Sequence, residues 1–466
     1  MSDTATSDAV FPAGPRFRHP LISYWKFRRD PTGFLTRLAR QYGDVVYFKL
    51  AGRDTFLLSH PDFVRDVLVT HDRSFIKSRG LQQARWLLGN GLLTSEGELH
   101  RRQRRLIQPL FHRQQIGRYA DTMATYTDRL TGPACWQDGA MVDIHQEMMR
   151  LTLAIVGKCI FNQDIEAEAS EIGACMDILT RNFQRMLLPF SDWLMRLPTA
   201  ENRRIRQAAA TLDRIVLGLI QERRQAQANP DQAEDLLSLL LAARDVEGDG
   251  GGMDDRQVRD EALTLLLAGH ETTANALTWT WYLLSQYPEV QTRLQAEVDR
   301  VLGGRLPTAD DVAALAYTRM VLAEAMRLYP PAWIMGREAR EDVEIGGYRI
   351  PAGATVLVSQ WVVHRDPRYY PEPERFDPMR WTAEAQAGRP RYAYFPFGGG
   401  SRICIGEHFA WLEGILILAT VARHWQLEMA SPRPPQPQAT ITLRPRHGLP
   451  MVLRRRVETP VAALAK

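Results

Sequence analysis

Cysteine is scarce in this chain: Cys135, Cys159, Cys175 and Cys404 are the only four among 466 residues. No two form a CxxC pair and their spacing is neither close nor even, so a disulfide framework is not expected; reduced thiols in a cytoplasm fit better. An excess of charge of one sign is missing too. With 58 basic against 54 acidic residues the net charge is only +4. No zinc-finger or helix-turn-helix spacing accompanies it, so nothing calls for nucleic acid. Long apolar runs are also absent. The best, Leu263 to Gly269, falls far short of the roughly 18 residues that suggest a membrane span. The opening stretch Met1 to Val10 has neither an apolar core nor a basic start. No signal peptide or transmembrane anchor is therefore expected, and the expected location is cytoplasmic. There is no internal repeat, no sustained heptad and no dinucleotide-type glycine fingerprint beside a strand–helix turn.

The pattern that remains is mainly helical with a minor sheet component, an α+β reading with one large domain over residues 1–466. Residues 1–20 read as an irregular entry, and Thr32 to Gln41 as a short helix stopped by Gly43. β-Branched and aromatic residues predict a hairpin, Val45 to Leu50 and Thr55 to Leu58, turning at Gly52-Arg53-Asp54. Pro61 opens another helix. From about Glu96 to Pro288 the pattern is helical almost throughout, with breaks at Gly132-Pro133, Pro189, Pro198 and Asn229-Pro230. Residues 247–252 are rich in glycine and read as a linker into a long helix from about Met253 to Tyr287. That helix is on the order of 50 Å long, and apolar residues on several faces predict its burial. Further helices are expected from Glu289 and over Tyr317 to Tyr329, and strands around Val343 to Ile350 and Thr355 to Ser359. A proline-rich loop follows from His364 to Pro378, and a last hairpin from Ala439.

Four segments carry residues that packing alone does not demand. The most informative is Phe397-Gly398-Gly399-Gly400-Ser401-Arg402-Ile403-Cys404-Ile405-Gly406, followed by an apolar helical run from Phe409 to Trp425. A glycine-rich turn leaves backbone N–H groups to point at one sulfur, and a nearby helix N-terminus adds to them, which favours the thiolate. Haem iron is a cation that one thiolate can serve alone; the plainer reading is a small buried hydrophobe. Inside the long helix sits Ala268-Gly269-His270-Glu271-Thr272-Thr273. Glycine costs about 1 kcal/mol there relative to alanine, and threonine tends to bond back and bend a helix. The segment thus predicts either a local opening, with Glu271 and Thr272 relaying protons, or a close helix contact. Glu324 and Arg327 lie three apart on one helical face, ready for a charge pair. His100 and Arg104 share a face four apart in a basic helix. By themselves these last two pairs read as solvated surface.

In order and spacing, a basic helix, Ala-Gly-x-Glu-Thr, Glu-x-x-Arg and Phe-x-x-Gly-x-x-x-Cys-x-Gly resemble the cytochrome P450 family, from about Pro12 to the C-terminal hairpin. The resemblance implies the cytochrome P450 fold, with haem b held between the long central helix and the cysteine loop. Cys404 would be the ligand of the haem iron, Phe397 the aromatic shielding the thiolate side, and Gly398 and Gly406 the glycines shaping the loop. Ala268 would face the distal haem surface, with Glu271 and Thr272 as the acid–alcohol pair that delivers protons. Glu324 and Arg327 match the family's structural pair. Its third partner is assigned to Arg380, with Met379 in place of the usual acid, although Pro373-Glu374-Arg375-Phe376 spells the more literal string. By position, His100, Arg104, Arg337 and Arg402 would meet the haem propionates.

The resemblance further implies a haem-thiolate monooxygenase that inserts one atom of O₂ into an apolar organic substrate, by hydroxylation or epoxidation. The chain is too short for a fused flavin reductase, so a separate ferredoxin or flavodoxin with its NAD(P)H reductase is expected. A basic face of Arg101, Arg102, Arg105 and Arg113 near Arg402 would dock it. The alternatives are a peroxide-driven peroxygenase, against which Glu271-Thr272 argues, and a non-catalytic haem-binding sensor or carrier. A monomer is expected. By family position the substrate pocket would be lined by Trp86, Leu87 and Leu88, by Phe183 to Leu194, and by Leu265 and Ala268. Trp333, Ile334, Thr440 and Ile441 would complete it. Those positions are mostly apolar, favouring a lipid-like, terpenoid, steroid or polyketide ligand, with Leu187 to Pro198 as a mobile lid.

Overall fold

The computed structural model of the chain describes residues 11–162, 171–176, 178–179, 182, 196–226, 235–248 and 250–456. It divides into two compact units, the first formed by Met1–Gln82, Ala332–Glu374 and Gly388–Cys404. At the centre of this unit is a five-stranded sheet in the order Val45–Leu50, Arg53–Leu58, Thr355–Val358, Met335–Ala339, Phe75–Lys77. Only the second and third of these strands run parallel. Alternate side chains, Phe56, Leu58, Val356 and Val358, share a core with Val64 and Phe395. The helix Pro31–Tyr42 forms as expected, because the Asp30 carboxylate accepts the Gly33 N–H (2.9 Å) and Gly43 stops it.

Two details differ from the sequence-based expectation. The hairpin turns at Ala51-Gly52, not at Gly52-Arg53-Asp54, since Leu50 pairs with Arg53 and Lys49 with Asp54. Asp54 is drawn into the strand by the Tyr47 hydroxyl (2.6 Å) and the Lys49 ammonium (3.2 Å). A helix, Pro20–Arg29, also follows the irregular entry directly; proline occupies its first turn and the His19 ring accepts the Leu21 N–H (3.2 Å).

The second unit, Gln83–Pro331, Arg375–Ala387 and Ile405–Lys466, is mainly helical. Its long helix, Asp255–Gln286, has 32 residues and is roughly 48 Å long. The Asp254 side chain caps it through the Gln257 N–H (2.7 Å). Val258, Leu263, Leu277, Trp279 and Thr280 are all fully buried, so the helix is enclosed on several faces. Its buried hydroxyls bond back within the helix, Thr278 to the Ala274 carbonyl (2.6 Å) and Thr280 to that of Ala276 (2.7 Å). The predicted glycine linker before it is a pinned turn. The Gly248 and Gly250 N–H groups donate to the Asp245 carbonyl, and the buried Asp245 carboxylate is held by Arg105 (2.9 Å). A short strand, Met141–Asp143, interrupts the stretch read as helical and pairs with Pro450–Arg455, which also pairs with Trp425–Met429. The last hairpin is Pro437–Ala439 with Leu443–Pro445, so Ala439 ends its first strand and does not begin it. The expected breaks at Pro189 and Asn229-Pro230 lie outside the described residues.

Within this unit Glu324 has no exposure to water. Both oxygens are answered: Oε1 accepts from Arg327 (2.8 Å) and the Asp377 N–H (3.1 Å), and Oε2 from Arg327 Nε (2.8 Å) and the Trp381 indole (3.0 Å). Arg380 adds an ion pair at 3.3 Å. Arg375 enters by its backbone, whose carbonyl accepts from Arg327 (3.1 Å). A second acid, Glu413 of the helix Glu407–His424, is also fully buried. Burial pushes its carboxyl up to about 8, against a lowering by the Thr273 hydroxyl.

Both acids yield predictions. Glu324→Gln should lower the unfolding free energy by about 3–5 kcal/mol, read from the denaturant midpoint, because the buried Arg327 guanidinium loses its counter-charge and the half-buried Arg380 loses its ion pair. Arg375→Met keeps the carbonyl used by Arg327 and should cost clearly less; equal losses would contradict the assignment of Arg380. For Glu413, the folded chain keeps a proton that the unfolded chain releases near 4.5. This contribution to stability is complete below that pH and is lost as pH rises towards about 8, at about 1.4 kcal/mol per pH unit. Glu413→Gln should therefore gain stability relative to the parent across that window, and parallel pH curves for the two proteins would refute it.

Candidate functional site

In the first unit the cysteine string closes on itself. The Cys404 N–H donates to the Phe397 carbonyl (2.9 Å) and the Ile403 N–H to that of Gly400 (3.2 Å). Beneath it the Gly398 N–H reaches the Phe395 carbonyl (3.0 Å), and the Phe395 N–H is accepted by Nε2 of the buried His364 (3.0 Å). Gly400 has a φ of +66°, and a Cβ there would lie 1.7 Å from the Leu68 carbonyl oxygen. Backbone approach and left-handed conformation together exclude any other residue at that position. Cys404 is exposed, as is Cys135, whereas Cys159 and Cys175 are buried. The alternative of a small packed hydrophobe does not describe it. Phe397 and Arg402 are half-buried on the same loop. Arg337 lies on the strand Met335–Ala339, buried, and its guanidinium donates to the Gly336 carbonyl (3.1 Å). Gly406 belongs to the second unit, where it precedes the helix Glu407–His424 as its N-cap.

In the second unit the long helix runs unbroken through Ala268 to Thr273, so the expected local opening is not found. Two physical reasons appear. The Thr272 hydroxyl donates to the Ala268 carbonyl (2.6 Å) without displacing the helix. Gly269 makes a close contact, since a Cβ there would lie 3.2 Å from Val156 of the helix Ile144–Phe161. The exposure pattern is nonetheless unusual for a buried helix: Ala268 is exposed, and Leu267, Gly269 and Thr272 are half-exposed. Glu271 points into the protein, 6 % exposed, and its Oε1 accepts the Thr442 hydroxyl (2.5 Å).

On the helix Gly97–Ile107, His100 is buried and Arg104 half-buried on one face. The arginines expected to form a docking face are partly committed elsewhere. Arg102 donates to the Gly252 carbonyl (3.1 Å) and lies 3.6 Å from Asp245, Arg105 binds Asp245, and Arg101 pairs with Glu98.

Of the pocket positions in this unit, Trp86 is exposed, Leu87 half-buried, and Leu88 and Leu265 buried in its core. Thr440 is half-buried and Ile441 exposed. In the first unit Trp333 is buried against Phe27, ring centroids 6.3 Å apart, and Ile334 is half-buried. Phe183 to Leu194 and most of the expected lid lie outside the described residues. An anchoring of the loop around Leu87 was not anticipated. The Asn90 N–H donates to Asp260 (2.7 Å), the Leu92 N–H to Glu261 (2.8 Å), and Arg259 to the Leu87 carbonyl (3.0 Å). Two adjacent acids early in a buried helix are the sequence signal that points to such a role.

Comparison with known proteins matches the family model "Cytochrome P450" to residues 12–450. Cyclooctatin synthase of Streptomyces melanosporofaciens is 40 % identical over 95 % of this chain and 95 % of its own. Cyclooctat-9-en-7-ol 5-monooxygenase of the same organism is 40 % identical over 86 % of this chain and 85 % of its own. Pentalenene oxygenase of Streptomyces avermitilis is 37 % identical over 95 % and 96 % respectively. The three relatives align over 85 % or more of their own length, and the mostly helical architecture with small sheets is consistent with the cytochrome P450 fold. This chain belongs to the cytochrome P450 family and is a P450 monooxygenase.

Proposed function

We propose that this monooxygenase holds haem b through Cys404 and oxidises a cyclic terpenoid hydrocarbon or alcohol. The observation that carries the ligand assignment is the exposed thiol of Cys404 on a loop closed by its own backbone. The residues present fit the group. In the first unit the exposed thiol of Cys404 suits iron, and Arg337 and Arg402 are of the type that meets propionates. In the second, Ala268 is an exposed small apolar residue of the long helix, and Arg104 and His100 are of the same propionate-binding type. Haem, when bound, supplies the reductive activation of dioxygen and the oxidation of the substrate. The chain's own residues do the rest. Gly398 and Gly400 hold the loop so that Cys404 is presented, Phe397 shields its sulfur, and Glu271 with Thr272 carries protons inward.

Three considerations support the substrate class. Leu87, Leu265 and Ile441 are apolar at the positions assigned to the pocket. Two relatives are named for compounds whose names denote an alkene and an unsaturated alcohol, pentalenene and cyclooctat-9-en-7-ol. Among the described residues assigned to line the pocket, none carries a charged side chain. Electrons come from a separate ferredoxin or flavodoxin with its NAD(P)H reductase, a reading supported by the lack of any dinucleotide fingerprint in the sequence.

The test is turnover of a panel of cyclic terpenes that includes pentalenene, with NADPH, a ferredoxin and its reductase, under isotopically labelled dioxygen. One labelled oxygen atom per product is expected. Product formed only with added hydrogen peroxide, or carrying oxygen from water, would overturn the proposal.

A further inference from the structure

The acid of the central helix is held by a residue from a distant hairpin. Thr442 lies between the strands Pro437–Ala439 and Leu443–Pro445, 171 residues from Glu271, and is buried at 6 % exposure. Its hydroxyl lies 2.5 Å from Glu271 Oε1 and 3.1 Å from Asn275 Nδ2. Glu271 and Asn275 are four apart and so share a face of the helix. The direction of these bonds follows from donor chemistry. A primary amide nitrogen only donates, so Asn275 occupies a lone pair of the Thr442 oxygen, and the single hydroxyl proton is left to point at the carboxylate.

The hairpin cannot easily drift from this position. The Trp279 indole, one further turn along the same helix, donates to the Leu443 carbonyl (2.9 Å), and the Leu443 N–H donates to Pro331 (2.9 Å). Thr440 closes the tip through its N–H and hydroxyl, both donating to the Thr442 carbonyl (3.0 and 3.1 Å). The next residue outward is the exposed Ile441. Asn275 Oδ1 is itself buried and without a hydrogen-bond partner. The amide is therefore oriented to favour its N–H contact with Thr442 at the expense of its carbonyl.

We propose that Thr442 is a positioning residue for proton delivery: together with Asn275 it fixes the Glu271 carboxylate in one orientation as a hydrogen-bond acceptor beside Thr272. This rests on the reading of Glu271 as a proton carrier. It adds that the hairpin tip assigned to the substrate pocket through Thr440 and Ile441 also sets the geometry of the acid, so the two functions share one element. Thr442 touches neither substrate nor haem in this role; it acts through Glu271.

The test uses the haem-loaded enzyme with NADPH, a ferredoxin and its reductase, and the cyclic terpene giving the largest Soret shift in a ligand screen. Four proteins are compared: the parent, Glu271→Gln, Thr442→Val and Thr442→Ser. Product formed per NADPH consumed should fall at least about threefold in Glu271→Gln and in Thr442→Val, with the difference appearing as peroxide, and should return in Thr442→Ser. A second readout needs no turnover. In the resting enzyme with carbon-13-labelled glutamate, the infrared carboxylate band missing from Glu271→Gln should titrate at higher pH in Thr442→Val than in the parent, because a bond donated to the charged form is lost. Thr442→Ser should restore it. If Glu271→Gln leaves coupling unchanged, the proton-carrier reading of Glu271 fails, and this proposal with it. If Glu271→Gln uncouples while Thr442→Val neither uncouples nor shifts the band, that reading stands and the role of Thr442 is overturned.

Discussion

A carboxylate shut off from water has to be answered by protein donors, and the donors that answer Glu324 organise the segment 375–381. Its two oxygens bind the neighbouring Arg327, the Asp377 N–H and the Trp381 indole, and Arg380 stands beside them. Removing any one partner would strand charge in a dry interior. The segment is therefore held by electrostatics that apolar packing cannot replace piecemeal. An irregular stretch with no strand and only a single 3₁₀ turn, Pro378–Trp381, thereby acquires a fixed course.

The same principle recurs at other stretches of irregular backbone in the second unit. Asp245 gathers Arg105 and the N–H groups of the glycine turn. Asp260 and Glu261 take the N–H groups of Asn90 and Leu92, and Glu271 takes the Thr442 hydroxyl. Each is a buried or nearly buried acid on or beside the long helix. The carboxylates of Asp260, Glu261 and Glu271 order segments remote in sequence, whereas Asp245 takes the adjacent turn through its backbone carbonyl and joins it to Arg105 through its carboxylate. The helix is thus more than a core element: its acids distribute hydrogen-bond acceptors along a dry interior, where each is stronger than at a surface.

Much of the fold was legible because local signals are strong. Asp30, Pro31 and Gly43 delimit a helix within a residue of expectation, and the apolar run to Trp425 gives the helix Glu407–His424. The cysteine loop was legible for a similar reason, since three successive glycines before an arginine imply close backbone approach, and Gly400 lies against the Leu68 carbonyl. What escaped depends on contacts distant in sequence. Nothing local marks Thr442 as the partner of Glu271, nor Arg105 as the residue that holds the Asp245 carboxylate beside the glycine turn. Of the two readings left open at Gly269 the structure shows the close contact, and the choice was not legible because a glycine demanded by Val156 on a neighbouring helix looks, in sequence, the same as one that weakens its own helix. At Glu324 and Arg327 the literal motif is met through the Arg375 carbonyl, which accepts from Arg327, and the less literal one through the Arg380 side chain, which pairs with Glu324.

All of the chemistry proposed for this chain passes through one sulfur. The most direct measurement is the absorption spectrum of the reduced, carbon-monoxide-treated protein, taken for the parent and for Cys404→Ser, with folding of both checked by circular dichroism. The account predicts the red-shifted Soret band of a thiolate-ligated haem in the parent and its loss in the folded variant. A folded Cys404→Ser protein that kept the thiolate-type band would contradict it.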